Sequence, residues 1–484
     1  MISLARNAPL ALPGDVAAPR YDLGSVKPGI VHIGLGGFHR SHFARYAHDL
    51  MEIDPEALNW GIVGSGLRPN DASLLRALER QDGLYTLVEH DAQGETRSVI
   101  GSIVRIIDAS VSTEALLEAI ARSEIRIVSV TVSEAGYHLD PATKKLALDA
   151  PAVRHDIAEP RRPRTMPGVV VEALRQRRDL AMPAFTALSC DNIQHNGRVL
   201  RDAVLALADQ TDVTLASWIA ANARFPSSMV DRITPVPTRG EIEAFSLKCG
   251  IADEAALFSE RFRQWVIEDD FAAGRPDWSI VGAQFVRDVA PYEAMKLRLL
   301  NASHLAIAGL GALCFYETVE QTMNDASIRR YMARLMDEEV GPLLAPVPGI
   351  DLAHYKRALI ARFANPAIRD TVRRINTDAP INLLLDPLRD ALAAHAPISL
   401  LALGLAAWCQ RVRDEAQRGE NISGANANAE LQRHALESGG DPATLLSARS
   451  LFGDLARDTR LMGALHGWLN AFKSGGVENL LRQI

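Results

Sequence analysis

The sequence predicts an α/β N-terminal part followed by a mostly α-helical C-terminal part. The first half alternates short apolar runs with amphipathic segments, and the runs are continuous, as in strands of a parallel sheet covered on both faces. From about Pro291 onward, apolar residues recur at helical spacing and strand signals are few. The predicted strands of the first half are residues 29–34, 60–65, 125–132 and 184–189.

The segment between the first two predicted strands is a helix by its periodicity. Phe43, Tyr46 and Leu50 recur on one helical face, so strand, helix and strand form a βαβ unit with a right-handed crossover. The later change to helical periodicity places a boundary near residues 285–292. We therefore predict two domains, residues 1–288 and 289–484.

Composition narrows the class of protein. The 484 residues carry a net charge of -7, the opposite of the balance usual in proteins that bind nucleic acid. Basic runs at 161–164 and 175–178 are flanked by acids, which is typical of a solvated surface. No apolar run is long enough for a membrane span or a signal peptide, and the 4 cysteines form no CxxC pair. We expect a reduced, soluble, cytoplasmic protein that functions as a monomer, without nucleic-acid or membrane partners.

A glycine-rich turn, "GLGGFHR", follows the first predicted strand. Gly34 permits a tight turn, and Gly36 lets the backbone approach a pyrophosphate at the start of the next helix. His39 takes the position of the third glycine in the usual GxGxxG pattern, which should loosen strand–helix packing, and Arg40 could contact phosphate. A tight βα turn without a ligand is the alternative. The candidate cofactor-binding residues here are Gly34, Gly36, Gly37, Phe38, His39 and Arg40.

An acidic residue for the adenosine ribose is expected after the second strand. The stretch "GLRPND" places Asp71 there, which favours NAD over NADP through the ribose hydroxyls. Arg68 lies nearby, and an arginine can instead bind a 2′-phosphate. NAD is the predicted cofactor.

The stretch "KLRLLNASH" (296–304) puts three polar groups on a leucine-rich helix. On an α-helix, Asn301 lies about 140° around from Lys296 and His304 about 80°, so all three share one face. A buried lysine can serve as a base near neutral pH, and an amide can donate to an oxygen that gains charge. The alternative is a structural polar stripe.

Two further stretches carry candidate residues. In "SCDNIQHNG", Asn192 follows a predicted strand at its carboxyl end, where ligands bind in open α/β sheets, although Asp191, Asn192 and Asn196 are also ordinary turn residues. In "SSMVDRITP", Asp231 precedes Arg232, and an ion pair or a helix cap is the alternative role.

Together these stretches resemble the mannitol 2-dehydrogenase family, the polyol-specific long-chain dehydrogenase/reductases. The resemblance covers nearly the whole chain. The family's order is followed by "HIGLGGFHRSH", "RIVSVTVSEAGY", "SCDNIQHNG", "MVDRITP", "YEAMKLRLLNASH" and "APVPGIDLAHYK". The resemblance implies an N-terminal Rossmann-type domain, a mostly helical C-terminal domain, an active site in the cleft between them, and NAD(P) used without a metal.

The resemblance also implies roles for individual residues. Lys296 matches the general acid/base, and Asn192 and Asn301 match the two amides that hold the reacting oxygen. Glu134 matches an acid that helps to pass the lysine's proton to solvent. The positions that contact substrate are matched by Asp231, His304 and Arg374.

One stretch departs from the family pattern. Where the family carries DGS-x-K-x-P, with a lysine that touches substrate, this chain reads "TDAPINLLLDPL". The far end of the substrate pocket therefore differs, or the alignment slips there. The departure concerns the identity of the polyol and leaves the proton chemistry intact.

The predicted activity is reversible, NAD-dependent, metal-independent oxidation of a linear polyol to a ketose, D-mannitol to D-fructose foremost. D-Arabinitol, D-sorbitol and hexuronate oxidoreduction are alternatives, and the missing lysine argues against the last. A metal-dependent alcohol dehydrogenase would need ligands such as His39, His42 and His48, but no Cys or Asp cluster completes such a site. A nucleotide-binding sensor is the non-enzyme alternative.

Overall fold

The computed structural model describes residues 1–7, 10–91, 93–140 and 143–482. The chain divides into two compact units, Met1–Ala290 and Pro291–Ile484. This division falls two residues beyond the predicted boundary at 288. The first unit is α/β and the second is mostly helical, so the predicted fold class is confirmed for each unit.

The strands all lie in the first unit as far as the structure describes the chain. They are β1 Ile2–Ser3, β2 Val16–Ala17, β3 Pro28–Ile33, β4 Gly61–Gly66, β5 Tyr85–Asp91, β6 Gly94–Ile100, β7 Ile103–Asp108, β8 Ile127–Val130, β9 Thr186–Ser189, β10 Ser228–Asp231, β11 Ile251–Ala252, β12 Leu257–Glu260, β13 Gln264–Glu268 and β14 Gln284–Val286.

The α-helices are spread over both units. They are α1 Gly37–Ser41, α2 Phe43–Met51, α3 Ala72–Arg80, α4 Glu114–Ile120, α5 Pro151–Ala158, α6 Met166–Asp179, α7 Asn196–Thr211, α8 Val213–Asn222, α9 Arg239–Cys249, α10 Ala290–Met295, α11 Ala302–Leu313, α12 Val319–Asn324, α13 Ala326–Arg334, α14 Leu352–Phe363, α15 Val372–Asp378, α16 Asn382–Ala393, α17 Ser399–Gln417, α18 Ala429–Glu437, α19 Pro442–Leu446, α20 Arg449–Phe452, α21 Thr459–Gly475 and α22 Val477–Leu481.

A five-stranded parallel sheet organises the first unit, with strand order β7-β4-β3-β8-β9. This order corresponds to five of the six strands of the doubly wound dinucleotide-binding fold, with β3 as its central first strand. The sheet is covered on both faces, and Val31 on β3 is paired in register with Val63 and Val128. The four predicted strands are β3, β4, β8 and β9, so the continuous apolar runs identified the buried strands.

Three smaller sheets complete the first unit. Their strand orders are β12-β5-β6-β2, β10-β13-β14 and β1-β11. The sequence did not predict them, because their strands are short or carry polar residues. The three-stranded sheet carries a candidate substrate-binding residue, because Asp231 is the last residue of β10.

The second unit consists of helices packed around α17. This helix packs against α11 and α21, and its Trp408 side chain is fully buried. Two segments, Lys296–Asn301 and Leu335–Val340, are π-helices, in which each backbone hydrogen bond spans five residues. In the part of the chain that the structure describes, no helix is long and apolar enough to cross a membrane.

All four cysteines are buried and free. Cys190 and Cys249 lie in the first unit, and Cys314 and Cys409 lie in the second. Burial raises the pKa of the Cys190 thiol and raises that of Cys409 to about 12.

Candidate functional site

The glycine turn follows β3 directly, as the βαβ pattern predicts. Gly34 has φ +106°, and a Cβ there would lie 2.0 Å from the carbonyl oxygen of Thr131, so only glycine fits. Gly36 is the N-cap of helix α1, and a Cβ at this position would meet nothing within 4 Å. The turn is therefore closed by packing at Gly34 and open at Gly36, where a ligand can approach the backbone.

The other residues of the turn face the interior of the first unit. A Cβ on Gly37 would lie 3.3 Å from Leu257, and the partly buried Phe38 stacks on His42. His39 is fully buried and stacks on His32 of β3, with 3.4 Å between ring centroids. His39 therefore fills the contact between strand and helix, and the looser packing expected from the missing third glycine is not observed.

Arg40 also points inward. Its guanidinium donates to the carbonyl oxygen of Ala255 and lies over the ring of Tyr85. The side chain is 4% exposed. This placement argues against the predicted phosphate contact, because the guanidinium is committed to the core that supports the turn.

A residue that the sequence did not reveal supports the turn from below. His32 is fully buried, and its Nε2 hydrogen-bonds the carbonyl oxygen of Gly34 and the hydroxyl of Thr131. Its Nδ1 hydrogen-bonds Ser129 on the neighbouring strand β8. Burial lowers the pKa of His32 to about 3, so the ring that fixes the turn is neutral. No spacing rule distinguishes this histidine from an ordinary core residue.

Asp71 lies just beyond the end of β4, where the acidic residue was expected. Its carboxylate accepts hydrogen bonds from the backbone N–H and the side chain of Arg68, with 2.9 Å between Arg68 Nη2 and Asp71 Oδ1. Arg68 is largely exposed and Asp71 is partly buried. The acid and the base that suggest different cofactors are thus paired with each other.

A cavity of about 1040 Å³ opens at Leu67, the residue before Arg68. It is lined by Leu67 after β4, by the segment 109–114 after β7, and by the loop with Arg162 and Arg164. In a doubly wound sheet, ligands bind outside the carboxyl ends of the strands, and this cavity lies at two such ends. The basic run at 161–164, expected to be plain solvated surface, therefore forms part of a cavity wall.

Glu134 and Asn192 follow the adjacent strands β8 and β9, whose last residues, Val130 and Ser189, are paired in register. Both side chains are exposed, and Glu134 pairs with Lys144 at 2.9 Å. The structure thus brings the two to one edge of the sheet.

The buried neighbours of these residues hold that edge in place. Asp191 accepts hydrogen bonds from the backbone of Val132 and Ser133 and from the hydroxyl of Tyr137. Burial raises the pKa of Asp191. Asn196 donates to the carbonyl oxygens of Asp191 and Ser228 and accepts from the Ser228 N–H. Both roles were missed, because the sequence offered only ordinary turn residues.

Asp231 is buried at the end of β10 and pairs in register with Gln264. The first residue of this strand, Ser228, is tied to the end of β9 through its hydroxyl and the Ser189 carbonyl. Asp231 lies three residues farther along, roughly 10 Å away for extended backbone. The guanidinium of the neighbouring Arg232 pairs with the buried Glu89.

In the second unit, Lys296 and Asn301 are the first and last residues of the π-helix Lys296–Asn301. The α-helical angle of about 140° between them is therefore wrong. Residues five apart lie closer in angle on a π-helix than on an α-helix, because a π-helical turn contains more residues. Lys296 is 8% exposed and Asn301 is half-buried. The π-helix aligns the two side chains better than the predicted α-helix would, and such turns are frequent at functional sites.

His304 lies on the first turn of α11, buried, with its ring stacked on Phe363 at 4.4 Å. Burial lowers the pKa of His304 to about 4. Arg374, on α15, donates from Nε and Nη2 to the two carboxylate oxygens of Asp370 at 2.7 and 2.5 Å. The same carboxylate lies 3.8 Å from His304 Nε2. The structure thus joins two predicted substrate-binding residues through an acid that the sequence analysis did not select.

The segment that departs from the family pattern links α15 to α16. The Ile381 N–H donates to the side chain of Asn426, whose amide donates to the Ala379 carbonyl oxygen. Asn426 belongs to the polar loop at 419–430. The segment is thus held by a buried amide.

The histidines considered as metal ligands have other contacts. His39 stacks on His32, His42 Nε2 hydrogen-bonds the Gln264 carbonyl, and His48 Nδ1 hydrogen-bonds the Tyr21 hydroxyl. Within residues 1–7, 10–91, 93–140 and 143–482, no group of three or more metal-ligating side chains is found.

Comparison with known families gives the class first: both units match domains of dehydrogenases. Residues 28–280 match the mannitol dehydrogenase Rossmann domain, and residues 288–472 match the mannitol dehydrogenase C-terminal domain. The chain therefore belongs to the mannitol dehydrogenase family, a family of polyol-oxidising enzymes.

Individual relatives differ in their named substrates. The chain is 41% identical over 459 residues to D-mannonate oxidoreductase of Escherichia coli, covering 93% of this chain and 94% of that protein. Pseudomonas fluorescens mannitol 2-dehydrogenase, solved as a ternary complex with NAD and D-mannitol, matches with TM-score 0.87 and 37% identity over 100% of this chain and 99% of that one. A D-sorbitol dehydrogenase matches with TM-score 0.88 and 34% identity, covering 99% and 100% of the two chains.

Proposed function

We propose that this protein is an NAD-dependent polyol dehydrogenase that reversibly oxidises D-mannitol to D-fructose without a metal. The observation that carries the proposal is the pair Lys296 and Asn301, which stand at the two ends of one π-helical turn in a chain of the mannitol dehydrogenase family. The solved complex of the Pseudomonas fluorescens relative with NAD and D-mannitol supports both the cofactor and the substrate.

The first unit fits a dinucleotide. The backbone at Gly36 is open to a pyrophosphate, because no atom lies within 4 Å of the space that a side chain would occupy. The cavity beside Leu67 has room for the adenosine end, since its volume of about 1040 Å³ is at the upper limit of small-molecule sites, roughly 300–1,000 Å³. Asp71 would bind the ribose hydroxyls, which favours NAD. When bound, NAD accepts the hydride from the substrate carbon.

Lys296 supplies the proton chemistry. Its amine, neutral in the oxidation direction, takes the proton of the substrate hydroxyl. Desolvation disfavours the charged form of a buried lysine, which suits this role. The amides of Asn192 and Asn301 donate to the oxygen as negative charge develops on it. Since the lysine must be protonated for the reverse reaction, oxidation is favoured at higher pH than reduction.

The remaining candidates bind substrate or pass the proton onward. His304 and Arg374 present an imidazole and a guanidinium to the hydroxyl groups along the polyol, and Asp231 offers a carboxylate acceptor. Glu134 is exposed and paired with Lys144, a position from which a carboxylate can exchange protons with water.

A second candidate function is oxidation of a sugar acid. The relative named D-mannonate oxidoreductase is 41% identical to this chain, and Arg374 is a cation that could bind a carboxylate. Against it, Arg374 is already neutralised by Asp370, and the lysine of the usual family pattern is absent from 377–388.

A spectrophotometric screen tests the proposal. NADH formation is measured with D-mannitol, D-sorbitol, D-arabinitol and D-mannonate, and NADH consumption with the corresponding ketoses and keto acid, each repeated with NADP and with EDTA. We expect the highest kcat/KM for D-mannitol with NAD, unchanged by EDTA. A preference for D-mannonate would select the second function. NADH binding without turnover on any substrate would support a sensor instead.

A further inference from the structure

Asp370 is a buried carboxylate in the second unit whose partners are both predicted to bind substrate. One face of the carboxylate accepts two hydrogen bonds from Arg374, and Oδ2 also lies 3.8 Å from Nε2 of His304. The residue is 3% exposed. A buried charge is costly unless it is paired, so the two-point contact with Arg374 is what makes this carboxylate tolerable.

The backbone around Asp370 is fixed independently of its side chain. The Asp370 carbonyl oxygen accepts a hydrogen bond from the Val319 N–H at the start of α12. Thr371 caps α15 through the Arg374 N–H. The carboxylate is therefore held at a defined place, and removing its charge leaves these main-chain bonds in position.

The ring of His304 is fixed by packing, but either ring nitrogen could carry the hydrogen. Its ring is stacked on Phe363, and Nε2 is buried without a hydrogen-bond partner at normal distance. Because burial lowers the pKa of His304 to about 4, the ring is neutral at neutral pH. A neutral imidazole is a donor at one nitrogen and an acceptor at the other, so its tautomer decides what it offers to a ligand.

We propose that Asp370 is a positioning residue for the polyol: its carboxylate selects the Nε2–H tautomer of His304 and holds the Arg374 guanidinium in a fixed orientation. An ionised carboxylate only accepts, so the nitrogen that faces it carries the hydrogen and Nδ1 becomes an acceptor for a substrate hydroxyl. The contact of 3.8 Å shortens when substrate is bound, as is common for hydrogen bonds that are long in the unliganded enzyme. This inference rests on the proposed function, because it assigns His304 and Arg374 to polyol binding.

The first test compares Asp370→Asn with Asp378→Asn. Asp378 is a matched control: it lies 3.6 Å from Arg374 Nη1, is 59% exposed, and belongs to the same helix. We expect Asp370→Asn to raise the KM for D-mannitol about tenfold, the size expected for loss of a charge-assisted hydrogen bond, with kcat within about threefold of wild type. The Kd for NADH stays unchanged. Asp378→Asn should alter none of these values.

The second test reads the tautomer directly. Selective ¹⁵N-histidine labelling gives the shifts of both ring nitrogens, and the His304 signals are assigned by their loss in His304→Gln. Wild type should show protonated Nε2, and Asp370→Asn should show a mixture of tautomers, since an amide can donate or accept. If Asp370→Asn does not fold, Asp370→Glu replaces it. For Asp370→Glu we expect a smaller rise in KM than for Asp370→Asn and a His304 ring protonated mainly at Nε2.

The proposal is overturned by a protonated Nδ1 in wild type, or by equal KM values in wild type and Asp370→Asn. It is equally overturned if Asp378→Asn raises KM as much as Asp370→Asn does. These outcomes are distinct from failure of the proposed function, in which wild type oxidises no polyol at all. The tautomer measurement needs no substrate, so the Asp370–His304 contact is tested in that case too.

Discussion

The sheet edge that carries Glu134 and Asn192 and the helices that carry Lys296 and His304 hold these candidate side chains in opposite ways. In the first unit, Glu134 and Asn192 are exposed, and the buried Asp191 and Asn196 hold the backbone beneath them. In the second unit, Lys296 and His304 are themselves buried. There the helix and its packing orient the side chain directly.

At the sheet edge, the residues proposed for chemistry are different from those that stabilise the fold. On the helices of the second unit, the same buried side chains serve both purposes. At the sheet edge, a functional residue can be removed without disturbing the core, and its structural support can be removed without touching the reacting groups. On the π-helix, a functional side chain is part of the packed interior, so its replacement must match its volume. Four experiments test this contrast.

The largest effect is expected for Lys296→Met, which keeps the volume and removes the amine. Loss of a general base costs on the order of 10³-fold in kcat at neutral pH. Steady-state assays with D-mannitol and NAD measure it, and the Kd for NADH should not change. Arg298→Met is the control from the same π-helix, because Arg298 pairs with Asp390 at 2.7 Å. Near-normal turnover of Lys296→Met would remove the lysine from the mechanism.

Two asparagines four residues apart should separate activity from stability. Asn192→Ala should lower kcat by about 10²-fold, as for loss of a donor to a developing oxyanion, with the melting temperature unchanged. Asn196→Ala loses three buried hydrogen bonds, which lowers the free energy of unfolding by about 3 kcal/mol. Urea unfolding and kcat are measured for both. A stable but inactive Asn196→Ala would contradict the assignment.

Acid should destabilise the first unit more than the second. Burial lowers the pKa of His32, His42 and His48 to about 3 and that of His39 well below its usual value. Among the histidines that the structure describes in the second unit, only His304 is buried. Below the ordinary imidazole pKa of about 6.5, the unfolded chain binds protons that the folded unit does not. The free energy of unfolding therefore decreases as the pH is lowered below this value, by about 1.4 kcal/mol per pH unit for each histidine.

Pulse proteolysis with peptide mapping resolves the two units in this experiment. It is performed at neutral pH and at about one unit below the ordinary imidazole pKa. Peptides of the first unit should be released at lower denaturant concentration in acid, with a smaller change for the second unit. Equal shifts in both units would show that buried histidines do not control the acid response.

The smallest effect is expected for Gly36→Ala. The added methyl group meets no protein atom within 4 Å, so the free energy of unfolding should stay within about 0.5 kcal/mol of wild type. The Kd for NADH should rise about tenfold, because the methyl group occupies the space of the pyrophosphate. Gly463→Ala, whose methyl group is equally free of contacts in α21, is the control and should bind NADH normally. Fluorescence titration of NADH measures both.

The sequence predicted the buried strands of the large sheet better than the partly exposed strand β7. Continuous apolar runs identified β3, β4, β8 and β9, whose residues are buried on both faces. The edge strand β7 was missed, because the exposed Arg105 interrupts its apolar pattern. A pattern of burial can reveal only those strands that are buried.

Side-chain directions were harder to predict than positions. Gly34 and Gly36 take up the expected turn, but Arg40 points into the core because the short helix α1 turns it away from the opening. The π-helix was missed as well, since one extra residue in a single turn hardly changes the apolar periodicity. Asp370 did leave a signal, because it stands four residues before Arg374, at the spacing of an ion pair on a helix.

The buried thiols allow the local opening of each unit to be measured separately. Only the thiolate reacts with alkylating reagents, and burial disfavours it, so the cysteines become labelled when the surrounding structure opens. Because two cysteines lie in each unit, labelling followed by mass spectrometry gives a separate rate of opening for each unit of the same molecule. Bound NADH should slow the labelling of Cys190, which follows Ser189 at the end of β9. The change in the labelling rate of Cys409 would show whether NADH also stabilises the second unit.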